Sequence, residues 1–74
     1  MVDNESQEMY LETILRLKKK NGSVRAIDIA EELGYSKPSV SRAVGIMKKD
    51  GFIVVHVDGL IDLTVTGKEK AENI

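Results

Sequence analysis

Apolar residues recur at helical spacing in the first quarter of the chain. Between residues 5 and 21, four of them fall on one stripe: Tyr10, Leu11, Ile14 and Leu17. Asn4, followed three residues later by Gln7, resembles a capping box at the start of a helix. Lysines occupy positions 18–20 in the last turn, where positive charge interacts favourably with the helix dipole, and Gly22 follows the helix. The pattern predicts a first helix over these residues.

Two further segments predict a pair of amphipathic helices. Over residues 25–33 the apolar positions share one face, and Gly34 stands where a left-handed C-cap belongs. Residues 36–50 carry a longer core stripe, made of Val40, Ala43, Val44 and Met47. Pro38 fits only in the first turn of such a helix, where its missing N–H costs nothing. The short turn Gly34-Tyr35-Ser36 between them indicates a helix-turn-helix, although unrelated helical hairpins share this signature.

The periodicity changes after Gly51. Residues 52–57 and 60–65 are rich in β-branched side chains and predict two strands, joined by Asp58-Gly59 as a two-residue hairpin turn. Residues 66–69 resemble another capping box and start a short helix that carries Ala71 and runs to the end of the chain. The predicted fold class is α+β and mainly α: a winged helix-turn-helix with three helices, a two-stranded wing and the start of a fourth helix.

Composition narrows the class of protein. The 74 residues fit one domain over residues 1–74, and 42% apolar residues are enough for one small core. The absence of cysteine excludes disulfides and thiolate zinc sites, and a single histidine, His56, excludes a multi-histidine metal site within one chain. His56 has no partner carboxylate at metal-ligand spacing and is expected to be a surface residue, at most a phosphate contact. An acidic N-terminus and the absence of a long apolar run predict a cytoplasmic protein without a membrane span. No nucleophile–base pair or phosphate-binding glycine loop points to an enzyme.

The net charge of −1 conceals a basic middle between acidic ends. Residues 16–49 contain nine basic and three acidic residues, a net charge of +6, whereas residues 1–15 carry −4 and residues 50–74 carry −3. A phosphate backbone meets the local field rather than the total charge. Charge alone leaves open that these residues form ordinary solvated faces.

The outward side of the third predicted helix is small, polar and basic, with no acid before Asp50. In a helix-turn-helix, the start of the second helix meets base edges in the major groove. Six side chains are expected there: Ser36, Lys37, Pro38, Ser39, Ser41 and Arg42. A guanidinium bonds guanine O6 and N7 bidentately, which makes Arg42 the expected base reader. Lys37 and Lys49 are expected to neutralise phosphates, and Arg25 to touch the DNA backbone.

Each of these assignments has a plainer alternative. Ser36 is also a good helix cap, and Arg42, Lys48 and Lys49 are also ordinary solvated side chains. A winged helix can likewise serve as a protein-interaction module that does not bind DNA. The acid-free face favours DNA over this second class of function.

Four segments, in order and with matching spacings, resemble one known family: residues 8–14, 24–33, 36–41 and 63–67. They are similar to the DNA-binding domain of the diphtheria toxin repressor and manganese transport regulator family. The resemblance implies a metal-dependent repressor of bacterial metal-uptake genes that acts as a homodimer on a palindromic operator in double-stranded DNA. It also implies a dimerisation and metal-binding domain after residue 74, so this chain is expected to be a monomer or weak dimer. It assigns Ser6 as a phosphate contact.

The same resemblance implies two metal ligands on the first helix, Met9 and Glu12. A thioether is typical of the iron branch of the family and a carboxylate of the manganese branch, which leaves iron(II) and manganese(II) both open. The remaining ligands are expected beyond residue 74, so this chain alone is not expected to hold the metal. The alternative is that Met9 packs against a partner helix, as methionine readily does.

Overall fold

The computed structural model describes residues 4–72, with side chains from residue 7 onward. Four helices and two strands follow one another along the chain: α1 (Asn4–Asn21), α2 (Ala26–Leu33), α3 (Lys37–Lys49), β1 (Ile53–Val55), β2 (Ile61–Leu63) and α4 (Val65–Glu72). The strands pair antiparallel, with Val54 opposite Asp62. This order and pairing confirm the predicted winged helix-turn-helix.

The apolar stripes predicted from spacing form one continuous core. The α1 residues of this pattern, from Tyr10 to Leu17, are buried, as are Val40, Ala43 and Met47 of α3. Val44, the fourth member predicted for the α3 stripe, is only partly buried and packs at the edge of the core. The inner face of the wing closes this core with Ile53 and Ile61, and α4 adds Ala71. Burial of these side chains is the main stabilising term of the fold, since apolar surface removed from water contributes about 25 cal/mol per Å².

Local capping chemistry sets the ends of α2 and α3 almost as predicted. Gly34 takes the left-handed conformation with φ of 70°, and its N–H bonds the carbonyl of Ala30. Ser36 lies just before α3 and accepts a hydrogen bond from the Ser39 N–H, so both ends of the turn are fixed by residues within it. Helix α2 begins one residue later than predicted because Arg25 is its extended N-cap.

The prediction of a two-residue hairpin turn was wrong. His56 pairs with Leu60, which leaves a three-residue loop, and the Gly59 N–H bonds the carbonyl of His56. A two-residue type I′ turn would need a positive φ at Asp58, yet only glycines have positive φ in residues 4–72. Gly59, with φ of 90°, supplies the one left-handed residue that a type I turn with a bulge requires.

The start of α4 was also predicted wrongly, because the cap is Thr64 and not Thr66. The Thr64 hydroxyl accepts from the Gly67 N–H at 3.0 Å and donates to the carbonyl of Gly51 at 2.7 Å. The second strand therefore ends at Leu63, and Val65 belongs to the helix. The capping-box pattern, with Glu69 three residues later, pointed to Thr66, whereas the contact with Gly51 favours Thr64.

Gln7 is the member of the capping box predicted for α1 whose side chain the structure describes. Its side-chain amide bonds Asp50 and Lys70, which lie far along the chain. The side chain of Asn4, the other predicted member, lies outside the described residues. In the part of the chain that the structure describes, no helix is long and apolar enough to span a membrane.

Candidate nucleic-acid interface

The first two turns of α3 and the turn before them form an exposed polar surface, which we call the α3 face. It consists of Ser36, Lys37, Pro38, Ser39, Ser41 and Arg42, and every one of these side chains is exposed. Val40 and Ala43 point the other way and are fully buried, which fixes the rotation of α3. The structure thus brings together on one surface the six residues singled out on the third helix.

Two serines at the start of α3 are already hydrogen-bonded to each other. The Ser36 hydroxyl donates to the Ser39 hydroxyl at 2.9 Å while it accepts from the Ser39 N–H at 3.4 Å. The capping role of Ser36 is therefore present in the structure. The Ser39 hydroxyl retains its own proton, so it is still able to donate to a phosphate or a base edge.

Arg42 is placed to use its whole guanidinium. Within residues 7–72 it forms no side-chain hydrogen bond or ion pair, and it lies on the exposed side of α3. Gly45 lies one turn further on, is exposed, and has open space where a Cβ would stand. Lys48 and Lys49 occupy the last turn of the same helix. The exposed side of α3 thus stays small and basic along its length.

Arg25 connects the start of α2 to the wing. Its backbone N–H donates to the carboxylate of Asp28 at 2.8 Å, and its side-chain Nε donates to the backbone carbonyl of Asp58 at 3.3 Å. A Cβ built on Gly59 would lie 3.8 Å from that Nε, so the arginine also rests against the wing tip. Its expected contact with the DNA backbone remains a prediction, and its present contacts position the wing.

A small hollow separates α2 from the α3 face. Its volume is about 210 Å³, and it is lined by Ala26, Ile27, Lys37 and Ser41. Ile27 is 38% exposed although it is large and apolar. The lining of the hollow therefore combines two apolar side chains with a cationic and a hydroxyl group.

Tyr35 is a candidate that reasoning from the sequence missed. It lies in the turn directly before Ser36, is 43% exposed, and its ring packs edge-on against that of Tyr10 with centroids 6.1 Å apart. Burial, and to a smaller extent Tyr35 itself, raises the pKa of the Tyr10 hydroxyl above its ordinary value. The signal was available in the sequence, because an aromatic residue with a hydroxyl in a helix-turn-helix turn is unlike the small residues around it.

The histidine of the wing lies against a carboxylate of the opposite strand. His56 Nε2 lies 2.7 Å from Oδ2 of Asp62, and Asp62 also pairs with Lys18 of α1. The two wing residues are six positions apart, but pairing of the strands brings them to one face. His56 is exposed, as predicted.

The residues implied as metal ligands are close together but few. Met9 is half-buried and Glu12 is exposed, three positions apart on α1. Among the described residues, no group of three His, Cys, Asp or Glu side chains is placed to hold a metal ion. A thioether and one carboxylate fit two positions of a mixed iron or manganese site, and a stable site would need further ligands. The side chain of Ser6, predicted as a phosphate contact, lies outside the described residues.

Comparison with known proteins points to one family. Residues 4–60 match the family described as iron dependent repressor, N-terminal DNA binding domain. The chain is 39% identical over 67 residues to the diphtheria toxin repressor of Corynebacterium diphtheriae, and 37% identical to the iron-dependent repressor IdeR of Mycobacterium tuberculosis. Each match covers 90% of the chain but only 30% and 29% of the two relatives. The chain thus spans less than a third of the length of these relatives.

Proposed function

Because the chain belongs to the iron-dependent repressor family and matches its N-terminal DNA-binding domain, we propose that it reads operator DNA through the α3 face. In this proposal the start of α3 enters the major groove of a palindromic operator in double-stranded DNA. The role is one of binding and not of catalysis, and it places the protein in the bacterial cytoplasm, where the DNA is.

One observation carries the proposal: the exposed side of α3 holds small polar and basic groups and no carboxylate. Helix α3 has no acid in its first turn and two lysines in its last turn. The acid that follows, Asp50, is held by Gln7 at 3.2 Å. Since a carboxylate near phosphate oxygens is repelled, a helix that approaches DNA is expected to lack one on its exposed side.

The proposed roles follow from the chemistry of each group. Arg42 reads guanine bidentately, and Pro38 packs against a thymine methyl group. Ser39 and Ser41 donate to phosphate or base edges, while Lys37 and Lys49 neutralise phosphates. Ser36 combines the cap of α3 with a contact to DNA.

Three further groups flank this contact in the proposal. Ser6 and Arg25 contact the DNA backbone. Tyr35 supplies an additional phenol to a phosphate, because it is exposed and lies in the turn directly before Ser36. The hollow between α2 and α3 receives part of the sugar–phosphate backbone, since its lining offers apolar side chains to a deoxyribose and a cation and a hydroxyl to its phosphate.

Metal binding and dimerisation are proposed for a repressor with the length of these relatives. We propose that such a repressor is a homodimer that uses iron(II), with Met9 as one ligand; the name of IdeR, one of the relatives, describes that protein as iron-dependent. Glu12 keeps manganese(II) open, because a hard carboxylate suits that ion. A bound divalent cation would supply the switch between the DNA-binding and the inactive state. The other ligands and the dimer interface are expected in a segment after residue 74.

Binding by this chain is expected to be weak and strongly dependent on salt. A single domain engages one half-site, so phosphate neutralisation dominates its affinity. If Arg25, Lys37 and Lys49 each neutralise one phosphate, affinity should fall about 40-fold between roughly 50 and 200 mM salt. Fluorescence anisotropy with a labelled duplex measures this fall. An affinity that does not change with salt would contradict the proposal and favour a protein-interaction module.

A further inference from the structure

The buried side-chain amide of Gln7 joins three elements, through an exposed carboxylate and a half-buried ammonium. Gln7 lies in the second turn of α1 and is only 6% exposed. Its Nε2 donates to Oδ2 of Asp50 at 3.2 Å, and its Oε1 accepts from Nζ of Lys70 at 3.4 Å. A carboxylate only accepts and an ammonium only donates, so these two partners fix which way the amide points. We call this arrangement the Gln7 junction.

Asp50 places a carboxylate at the C-terminal end of α3, where a negative charge is unfavourable. It is the C-cap of α3, and its N–H bonds the carbonyl of Ile46 at 2.9 Å. The C-terminus of a helix carries partial negative charge, which disfavours an acidic side chain there. The position of Asp50 is therefore explained by its partner outside α3, the amide of Gln7.

Lys70 ties α4 to the same point. Its Nζ lies 4.5 Å from the centroid of the Phe52 ring, within the range of a cation–π contact. Phe52 carries the chain from α3 into the wing, and its carbonyl accepts the N–H of Thr64 at 3.0 Å. The Gln7 junction therefore links the end of α3 to both α1 and α4.

From this geometry, and resting on the proposed function, we propose that Gln7 is a positioning residue that sets the tilt of α3 and so places the α3 face against DNA. The junction lies at the end of α3 opposite Ser36 and Ser39. Helix α3 is about 20 Å long, so a tilt of about 5° at the junction moves its other end by about 1.7 Å. Hydrogen bonds to base edges tolerate only about 0.5 Å, so Gln7 affects DNA reading without touching DNA.

The test exchanges donor and acceptor across the junction. Gln7→Glu keeps the size of the side chain but sets a second carboxylate against Asp50. Combining Gln7→Glu with Asp50→Asn restores a donor–acceptor pair with the roles reversed. Ile14→Val serves as the control, because it changes a core residue of the same helix without touching the junction.

We expect Gln7→Glu to lower the preference for a palindromic over a scrambled duplex about tenfold, the scale of one hydrogen bond to a charged group. The double variant should recover most of this preference, and Ile14→Val should leave it unchanged. Amide shifts of residues 36–42 in the DNA-free protein should move in Gln7→Glu and return in the double variant. This second readout does not depend on DNA, so it separates failure of the positioning role from failure of the proposed function.

Two results would overturn the inference. One is a Gln7→Glu variant whose residues 36–42 keep their free-protein amide shifts. The other is a double variant that recovers neither the shifts nor the preference, although thermal unfolding shows that it is folded. In both cases the junction would serve stability alone.

Discussion

Replacing Gly67 by alanine is expected to cost the domain a large part of its stability. A Cβ at this position would lie 1.9 Å from the carbonyl oxygen of Phe52, far inside any permitted contact. The atoms of Phe52 that a Cβ would meet all belong to its backbone, so no side chain can rotate away to make room. The Phe52 carbonyl is further fixed by its hydrogen bond with the Thr64 N–H. Relief therefore requires α4 to move off the wing, which would expose Ala71 and the α1 surface beneath it.

We expect Gly67→Ala to lower the free energy of unfolding by about 3 kcal/mol or more, at the upper end for overpacking. A domain of this size has only about 4–11 kcal/mol in total. The melting temperature should fall by at least about 12 °C, since each kcal/mol shifts it by about 4–8 °C. Thermal unfolding followed by circular dichroism measures this change.

The matched control is Gly45→Ala, because Gly45 is also a helical glycine but has nothing within 4 Å of its missing Cβ. Alanine should stabilise α3 by about 1 kcal/mol there, through helix propensity alone. The two substitutions are identical in chemistry and should have opposite signs. A Gly67→Ala variant as stable as the parent would mean that α4 does not pack on Phe52 as described.

Replacing Arg42 by alanine is expected to abolish most of the sequence preference of DNA binding. A bidentate arginine–guanine pair contributes about 1–3 kcal/mol of discrimination, so the preference for operator over scrambled DNA should fall roughly 5- to 150-fold. Arg42→Lys should rescue little of it, because an ammonium lacks the planar fork. Anisotropy titrations with operator and scrambled duplexes at one salt concentration measure both values.

Lys49→Ala is the matched control for Arg42→Ala, since it removes one positive charge from the same exposed side of α3. It should weaken binding to all sequences about equally and reduce the salt slope by about 0.9, the value for one phosphate contact. Equal loss from both variants on both duplexes would remove Arg42 as the base reader and leave it as a phosphate contact.

The elements of this fold were predictable because the signals that set them are local. The stripe from Tyr10 to Leu17 predicted which side of α1 is buried, and every member is buried. Gly34 and Ser36 act as caps through bonds to their near neighbours, so spacing alone found them. The exposed side of α3 followed from the same periodicity, since the core stripe fixes which way the helix is rotated.

What the sequence did not predict depends on contacts between distant segments. Thr66 carried the capping-box pattern, yet Thr64 is the cap, and its hydroxyl also bonds the distant carbonyl of Gly51. The residues next to Gly67 in the sequence do not indicate that it lies against the carbonyl of Phe52. Likewise, the neighbours of Gln7 in the sequence do not indicate its contacts with Asp50 and Lys70. His56 acquired its partner, Asp62, only through strand pairing. These contacts can be identified only once the fold is known, because the residues that make them carry no periodic signal in the sequence.

The most direct test of the central claim is an amide chemical-shift map of the isotope-labelled domain, titrated with a short palindromic duplex at low salt. The map reports weak binding residue by residue, so it locates the surface as well as the affinity. Our account predicts that the largest shifts cluster at residues 36–42 and at the wing tip, Asp58-Gly59, with little change on α4. A map that stays flat at saturating duplex, or one whose shifts avoid α3, would contradict the claim that the α3 face reads DNA.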